Sequence, residues 1–196
     1  MKTIVLASNN AHKIQEFREM LPLFNILSLK DIGFFDEIVE DGETFLENSL
    51  IKARAITNYL NSKDKQMMVI ADDSGLCVNA LGGAPGVYSA RFAGDHSNQA
   101  NRNKLLDELK NKEDRNAYFD CLLTVMKPDG SYNYVEGKSF GKITTSEIGD
   151  TSFCYDCLFY SDDLNKTFGE ASEEEKNSVS HRGRAIKLLI EKGLLN

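Results

Sequence analysis

Two adjacent carboxylates, Asp72 and Asp73, follow directly on the apolar run Met67-Met-Val-Ile-Ala71. Acids where a buried strand ends suit a divalent cation, because Mg²⁺ takes one or two carboxylates and leaves its other positions to waters and phosphate oxygens. Far downstream, Lys176, His181, Arg182 and Arg184 fall within nine residues, around the segment Ser178-Val-Ser-His-Arg-Gly-Arg-Ala185. Cations clustered where a helix begins suit an anion or the polar edge of a purine. Together the acids and the cations describe a site for a metal-bound phosphate ester.

Other groups could complete such a site. Ser8-Asn9-Asn10-Ala11-His12-Lys13 follows the first apolar strand and opens a helix. Its amides, short polar side chains and lysine suit a phosphate, although the same residues also read as a helix cap with Lys13 paired to Glu16. Glu40, Asp41, Glu43 and Glu47 enter a second helix; they complement its dipole, or one of them reaches a metal. Asp72-Asp-Ser-Gly75 could equally be a turn or a cap. Two adjacent carboxylates should also raise each other's pKa unless a cation offsets them. Phe153, Tyr155 and Asp156 offer a ring for a base to stack on and a nearby acceptor, where the alternative for an aromatic in a strand is the core. Cys154 and Cys157 have redox or zinc spacing, but zinc needs two further ligands, and Cys77 and Cys121 sit alone in apolar runs. The reading is four ordinary reduced cysteines.

The elements that must position these groups follow from periodicity. A strand covers residues 2–7 and a helix residues 11–21, with Ile14, Phe17, Met20 and Leu21 at helical spacing. A loop follows to Glu43, then a helix to about Leu60. Residues 67–71 read as a strand buried on both faces, residues 81–94 as a glycine-rich structured loop, and residues 98–110 as a helix. Residues 116–127 and 131–137 flank Pro128-Asp-Gly130 as a hairpin. Residues 151–160 read as a strand, and residues 185–195 as the last helix. This is an α/β fold on a mixed sheet.

Composition narrows the partners. The 196 residues suit one large or two-lobed domain, and 41% hydrophobic with 27% charged residues exclude wholesale disorder. A net charge of −7 argues against a nucleic-acid polymer, which needs a basic face, but leaves room for a single nucleotide. The apolar stretch Thr3–Ala7 is too short for a signal-peptide core or a membrane span, so the expectation is a cytoplasmic protein without a membrane partner.

Read together, these blocks resemble the inosine/xanthosine triphosphate pyrophosphatases, which hydrolyse non-standard purine nucleoside triphosphates. The resemblance runs nearly end to end: Ile4-Val-Leu-Ala-Ser-Asn-Asn10 with Lys13 and Glu16, Thr44-Phe45, Glu47-Asn48, Lys52-Ala53, Ala71-Asp-Asp-Ser-Gly-Leu76, Ala80-Leu-Gly-Gly-Ala-Pro-Gly86, Tyr88-Ser-Ala-Arg91, Phe153 with Tyr155-Asp156, Lys166-Thr167, Glu170, Glu175-Lys-Asn177 and Ser180-His-Arg-Gly183. It implies a long mixed sheet with flanking helices, two lobes around a central nucleotide cleft, and a homodimer. It implies that Ser8, Asn9, Asn10, Ala11, His12 and Lys13 hold the triphosphate, that Glu40 and Asp73 bind Mg²⁺ (with Mn²⁺ an alternative), and that Asp73 is the general base. Ser74 would touch the substrate, while Phe153, Cys154, Tyr155, Asp156, Lys176, His181 and Arg182 would enclose the purine. ITP, dITP and XTP would yield the monophosphate and pyrophosphate.

The chain departs from that pattern where Cys154 and Cys157 replace a usual Gly and Pro, where Thr151-Ser152 replaces a Gly pair, and where Asn9 and His12 stand at commonly Gly positions. If the Gly at 154 serves a positive φ, Cys154 should strain or narrow the base site. Three other readings use the same residues: a modified-pyrimidine triphosphate pyrophosphatase, a catalytically silent nucleotide-binding protein, and a redox protein built on Cys154 and Cys157.

Overall fold

The computed structural model describes residues 1–94 and 96–196. The chain runs β1 (Lys2–Leu6), α1 (Ala11–Met20), β2 (Phe24–Leu27), α2 (Phe45–Asn61), β3 (Met68–Val78), α3 (Asn98–Glu108), β4 (Asn116–Met126), β5 (Tyr132–Ile143), β6 (Phe159–Ser161), β7 (Lys166–Thr167), α4 (Glu173–Val179) and α5 (His181–Glu191). The strands form a seven-stranded mixed sheet in the order β2-β1-β3-β4-β5-β6-β7. β1 lies parallel to both β2 and β3, with Ile4 opposite Met68 and Leu6 opposite Ile70, while β5, β6 and β7 pair antiparallel. The α/β class and the mixed sheet expected from the sequence are those observed.

Several boundaries differ. β3 does not stop at Ala71 but continues to Val78, so Asp72 and Asp73 lie mid-strand rather than at its end or in a turn. The supposed loop after α1 contains the four-residue strand β2, too short to show a period. The expected strand over residues 151–160 is mostly turn, with only Phe159–Ser161 in β6. The last helix starts four residues early, at His181, and a short helix, α4, precedes it. Capping chemistry sets that start. Ser172 and Glu175 form a capping box on α4, and Ser180 Oγ accepts the N–H of Gly183 at 3.0 Å in the first turn of α5. Gly183 itself is required by crowding, because a Cβ there would stand 1.9 Å from the Asn177 carbonyl oxygen.

The chain divides into two compact units. The first holds residues 1–73, 121–136 and 185–196, and the second residues 74–120 and 137–184. In the first, the β3 stretch over residues 68–73 is buried on both faces, as its apolar run 67–71 predicts, and β1 is buried from Ile4 to Leu6. Ile4, Leu6, Met68 and Ile70 pack with Phe17 of α1 and with Ala185, Ile186 and Leu189 of α5. Val5, Ala7, Val69 and Ala71 pack with Ala53, Ile56 and Leu60 of α2. The second unit is centred on Leu76, Val78, Leu105, Phe119, Ile143, Tyr155, Phe159 and Phe168. No helix among the described residues is long and apolar enough to cross a membrane.

Candidate active site

Side chains alternate along a strand, and that alternation decides what each aspartate meets. Met68 and Ile70 face α1 and α5, so Asp72 does too; Val69 and Ala71 face α2, so Asp73 does too. Asp72 Oδ1 takes the Lys13 ammonium of α1 in a short ion pair, and Asp72 Oδ2 accepts the Cys121 thiol at 3.4 Å. Lys52 of α2 donates to Asp73 Oδ1 at 3.1 Å and to Glu40 Oε2 at 2.7 Å. The two aspartates are therefore not a repelling pair sharing one cation. Each has its own lysine on its own face of the sheet, and Lys13 pairs with Asp72 where Glu16 was the expected partner.

Burial pushes the Asp73 carboxyl above its ordinary value and Glu40 adds to this, against the pull of Lys52 and Lys13. Burial alone would lower Lys52, but Asp73 and Glu40 outweigh it and hold the ammonium above its ordinary value. One lysine shared between two acids leaves Asp73 undercompensated, and its Oδ2 is buried with no hydrogen-bond partner among the described residues. Of the other acids entering α2, Glu47 closes a capping box with Thr44. Gly42 holds the loop against α2, its N–H donating to Asn48 Oδ1 at 2.8 Å with no room for a Cβ, and this leads Glu40 to Lys52.

The loop from Ser8 to Lys13 is a helix cap in this structure. Asn10 Oδ1 accepts the N–H groups of His12 and Lys13, Ser8 Oγ accepts that of Asn10, and Asn9 Oδ1 accepts that of Lys30. A capped N-terminus is also a ready anion site. Because Leu6 pairs with Ile70 in register, Ser8 to Lys13 emerge beside Asp72.

In the second unit, Lys176 on α4 donates to Asp156 Oδ2 at 2.6 Å and lies 4.2 Å from the centre of the Phe153 ring. Arg182 is buried and donates to Ser74 Oγ at 3.0 Å. His181 stacks on Phe119, with ring centres 4.7 Å apart and 14° between planes. These contacts gather Phe153, Asp156, Lys176, His181, Arg182 and Ser74 within one unit. Tyr155 stands apart from them. It is a core residue whose hydroxyl donates to the Ser89 carbonyl at 2.8 Å, so its ring offers no stacking face.

All four cysteines are free. Burial pushes the Cys154 thiol up to about 11 and raises Cys157 as well, the reverse of what a redox thiolate needs. The expected strain at Cys154 is absent, since the non-glycine residues with positive φ are Asp64, His96 and Asn165.

Residues 4–192 match the family model described as the Ham1 family. The chain belongs to the Ham1 family. A dITP/XTP pyrophosphatase from Clostridium perfringens is 49% identical, with 100% of each chain covered. A protein of the same name from Bacillus subtilis is 45% identical over 96% of each. Among solved structures, the Ham1 protein of Staphylococcus aureus superposes with a TM-score of 0.85 at 42% identity, over 98% of this chain and 100% of that one. A HAM1 protein from Coxiella burnetii gives 0.88 at 33% identity, over 100% of each.

Among the described residues of this Ham1-family chain, no three His, Cys, Asp or Glu side chains gather as an all-protein metal cage. Mg²⁺ does not require one. The orphaned, buried Oδ2 of Asp73 and the nearby Glu40 carboxylate, joined through Lys52, fit a cation that takes its remaining positions from phosphate and water. Sequence reasoning missed Lys52 as a site residue. Its signal was a lysine at helical spacing with Ser49, Ala53 and Ile56 on the buried face of α2, close in sequence to the acids at the entry to that helix.

Proposed function

We propose that this chain hydrolyses non-standard purine nucleoside triphosphates, dITP, ITP and XTP, to the nucleoside monophosphate and pyrophosphate, and so removes them from the nucleotide pool. The observation that carries the reading is the undercompensated Asp73 beside Lys52 and Glu40, in a chain 49% identical to a dITP/XTP pyrophosphatase.

Each group then has a task. Lys13 and the amides at the α1 N-terminus, from Ser8 through His12, bind the phosphates, with Lys13 drawn from its pairing with Asp72. Asp73 accepts the proton of the water attacking the α-phosphorus; its raised pKa brings it closer to the strength a base needs near neutrality. Lys52 fixes one oxygen of Asp73 and leaves the other free to act. A divalent cation, Mg²⁺ or Mn²⁺, held by Asp73 and Glu40 would neutralise charge on the phosphates. Phe153 stacks on the purine, the backbone at Cys154 and Tyr155 borders it, Asp156 fixes Lys176, and Lys176, His181 and Arg182 read its polar edge, with Ser74 touching the substrate. The working form is a homodimer in the cytoplasm, with no nucleic-acid polymer or membrane as partner.

A phosphate-release assay on dITP tests the reading. Orthophosphate should appear only when inorganic pyrophosphatase is added, because the cut lies between the α and β phosphates. Orthophosphate released by the protein alone would mean γ-cleavage and would overturn the mechanism.

A further inference from the structure

The segment carrying Phe153 has little structure of its own. Residues 151–157, Thr-Ser-Phe-Cys-Tyr-Asp-Cys, form turns without a glycine, and their internal bonds are sparse: Asp150 takes the Ser152 N–H and hydroxyl, and Phe153 O accepts the Asp156 N–H at 3.0 Å. The segment's far end is tied by backbone bonds from outside, the Gly169 N–H to Asp156 O at 2.9 Å and the Ile148 N–H to Cys157 O at 2.8 Å, whereas the carbonyls on either side of Phe153 are held by an arginine. Arg102, 3% exposed on α3, donates from Nη1 to the carbonyls of Cys154 at 2.9 Å and Thr151 at 3.3 Å. Its Nε pairs with Glu147 Oε1 at 2.7 Å, and Nη2 donates to Gln99 Oε1 at 2.9 Å. Gln99 also donates to Glu147, and these bonds hold the Glu147 carboxyl below its ordinary value.

The support behind the fork is rigid. Asn101, fully buried, accepts the Ala93 N–H at 2.7 Å and donates to the Ala90 carbonyl at 3.0 Å, which anchors α3. A planar guanidinium with five donors in fixed directions can satisfy a carboxylate, an amide oxygen and two carbonyls at once, which a lysine cannot. The two carbonyls it takes flank Phe153 on either side. Fixing them fixes where the ring points, and with it the distance to Lys176.

We propose that Arg102 is a positioning residue for base recognition: by clamping the carbonyls of Thr151 and Cys154 it sets the Phe153 ring, and through it KM and the preference among bases. The inference rests on the functional reading above for its substrate but not for its loop. Without the fork the segment must be ordered when substrate binds, which weakens ground-state binding and leaves the phosphate chemistry alone.

The test compares wild type with Arg102→Met and Arg102→Lys, and with Glu147→Gln as a milder variant that keeps the arginine but removes its anion. Steady-state kinetics on dITP should show KM raised ~10-fold in both Arg102 variants with kcat nearly unchanged, and a smaller rise in Glu147→Gln. Inhibition by inorganic tripolyphosphate, which probes the phosphate end alone, should be unaltered, and the preference for dITP over dATP should fall. Amide hydrogen exchange over residues 151–157 should speed up while α1 keeps its protection. An unchanged KM, or a KM that moves together with tripolyphosphate inhibition, overturns the proposal; so does unchanged exchange over 151–157. If Arg102→Met fails to fold, Glu147→Gln decides on the same readouts. A wild-type protein inert toward dITP would remove the functional reading, and the exchange experiment would still decide whether Arg102 holds the loop.

Discussion

Lys52 Nζ lies 3.1 Å from Asp73 Oδ1, while the other oxygen of the same carboxylate is buried without a hydrogen-bond partner among the described residues. Lys52 also serves Glu40 at 2.7 Å, so one ammonium is shared by two carboxylates, and burial still holds Asp73 above its ordinary value against the pull of Lys52 and the more distant Lys13. A buried acceptor left unmade carries a cost of about 1–3 kcal/mol. Such imbalances persist at sites where a substrate, cation or transition state completes the set.

Asp73→Asn should lower kcat on dITP about 10²-fold or more, the scale of lost acid–base assistance. The amide keeps an acceptor for Lys52, which retains Glu40, and it removes a carboxylate whose charge burial disfavours. Urea unfolding should therefore stay within about 1 kcal/mol of wild type. Near-normal kcat in this variant would move the base elsewhere, with Asp72 the first suspect.

Lys52→Met strands Asp73 and Glu40 without their shared cation, and removing one partner of a buried set costs about 3–5 kcal/mol. Its ammonium is held above the ordinary 10.5 in the fold. A folded pKa above the unfolded one gives stability that is whole below 10.5 and is lost as pH rises through the folded value. The gap between wild type and Lys52→Met in denaturant melts should thus be flat from neutral to mildly alkaline pH and narrow only above 10.5. A gap that already closes near neutrality would sink this account of the pair.

The first unit was largely legible because its signals are local. Apolar runs at 3–7 and 67–71 mark strands, the second covered on both faces, and helical spacing marks α1 and α2. The register of Asp72 and Asp73 was hidden because β3 keeps going through polar residues, so the run of hydrophobicity ended before the strand did. The Phe153 segment was misread as a strand because its aromatics have strand-like composition, whereas tertiary bonds from Arg102 give it its shape. The roles of Lys52 and Arg102 were not legible for one reason: what a charged residue on a buried helix face does is set by partners distant in sequence.

Cys154 should behave as an unreactive thiol. Burial pushes its pKa up to about 11, so at pH 8 only about one molecule in a thousand carries the nucleophilic thiolate. Native protein treated with iodoacetamide at pH 8 and read by mass spectrometry should leave Cys154 unmodified, while urea exposes all four cysteines to labelling. Rapid native labelling at Cys154 would return the redox reading of Cys154 and Cys157 to contention.

Selectivity should favour 6-keto purines over adenine. Lys176 is held at 2.6 Å by Asp156 and lies over Phe153, and Arg182 is fixed through Ser74, so the cations near the proposed base site are placed before substrate arrives. They can donate to the 6-oxygen of hypoxanthine or xanthine. Adenine presents an amino donor there instead, and donor facing donor leaves buried groups unpaired. A mismatch of that kind reaches up to about 10⁴-fold in kcat/KM, well beyond what a small difference in shape gives. Guanine shares the 6-oxygen, so its rejection must come from the 2-amino group and is expected to be weaker. The expected ranking of kcat/KM is therefore ITP, dITP and XTP first, GTP and dGTP next, and ATP and dATP far below. Hydrolysis of ATP within about tenfold of ITP at matched Mg²⁺, roughly 1.4 kcal/mol of discrimination, would show that Lys176, His181 and Arg182 do not read the base.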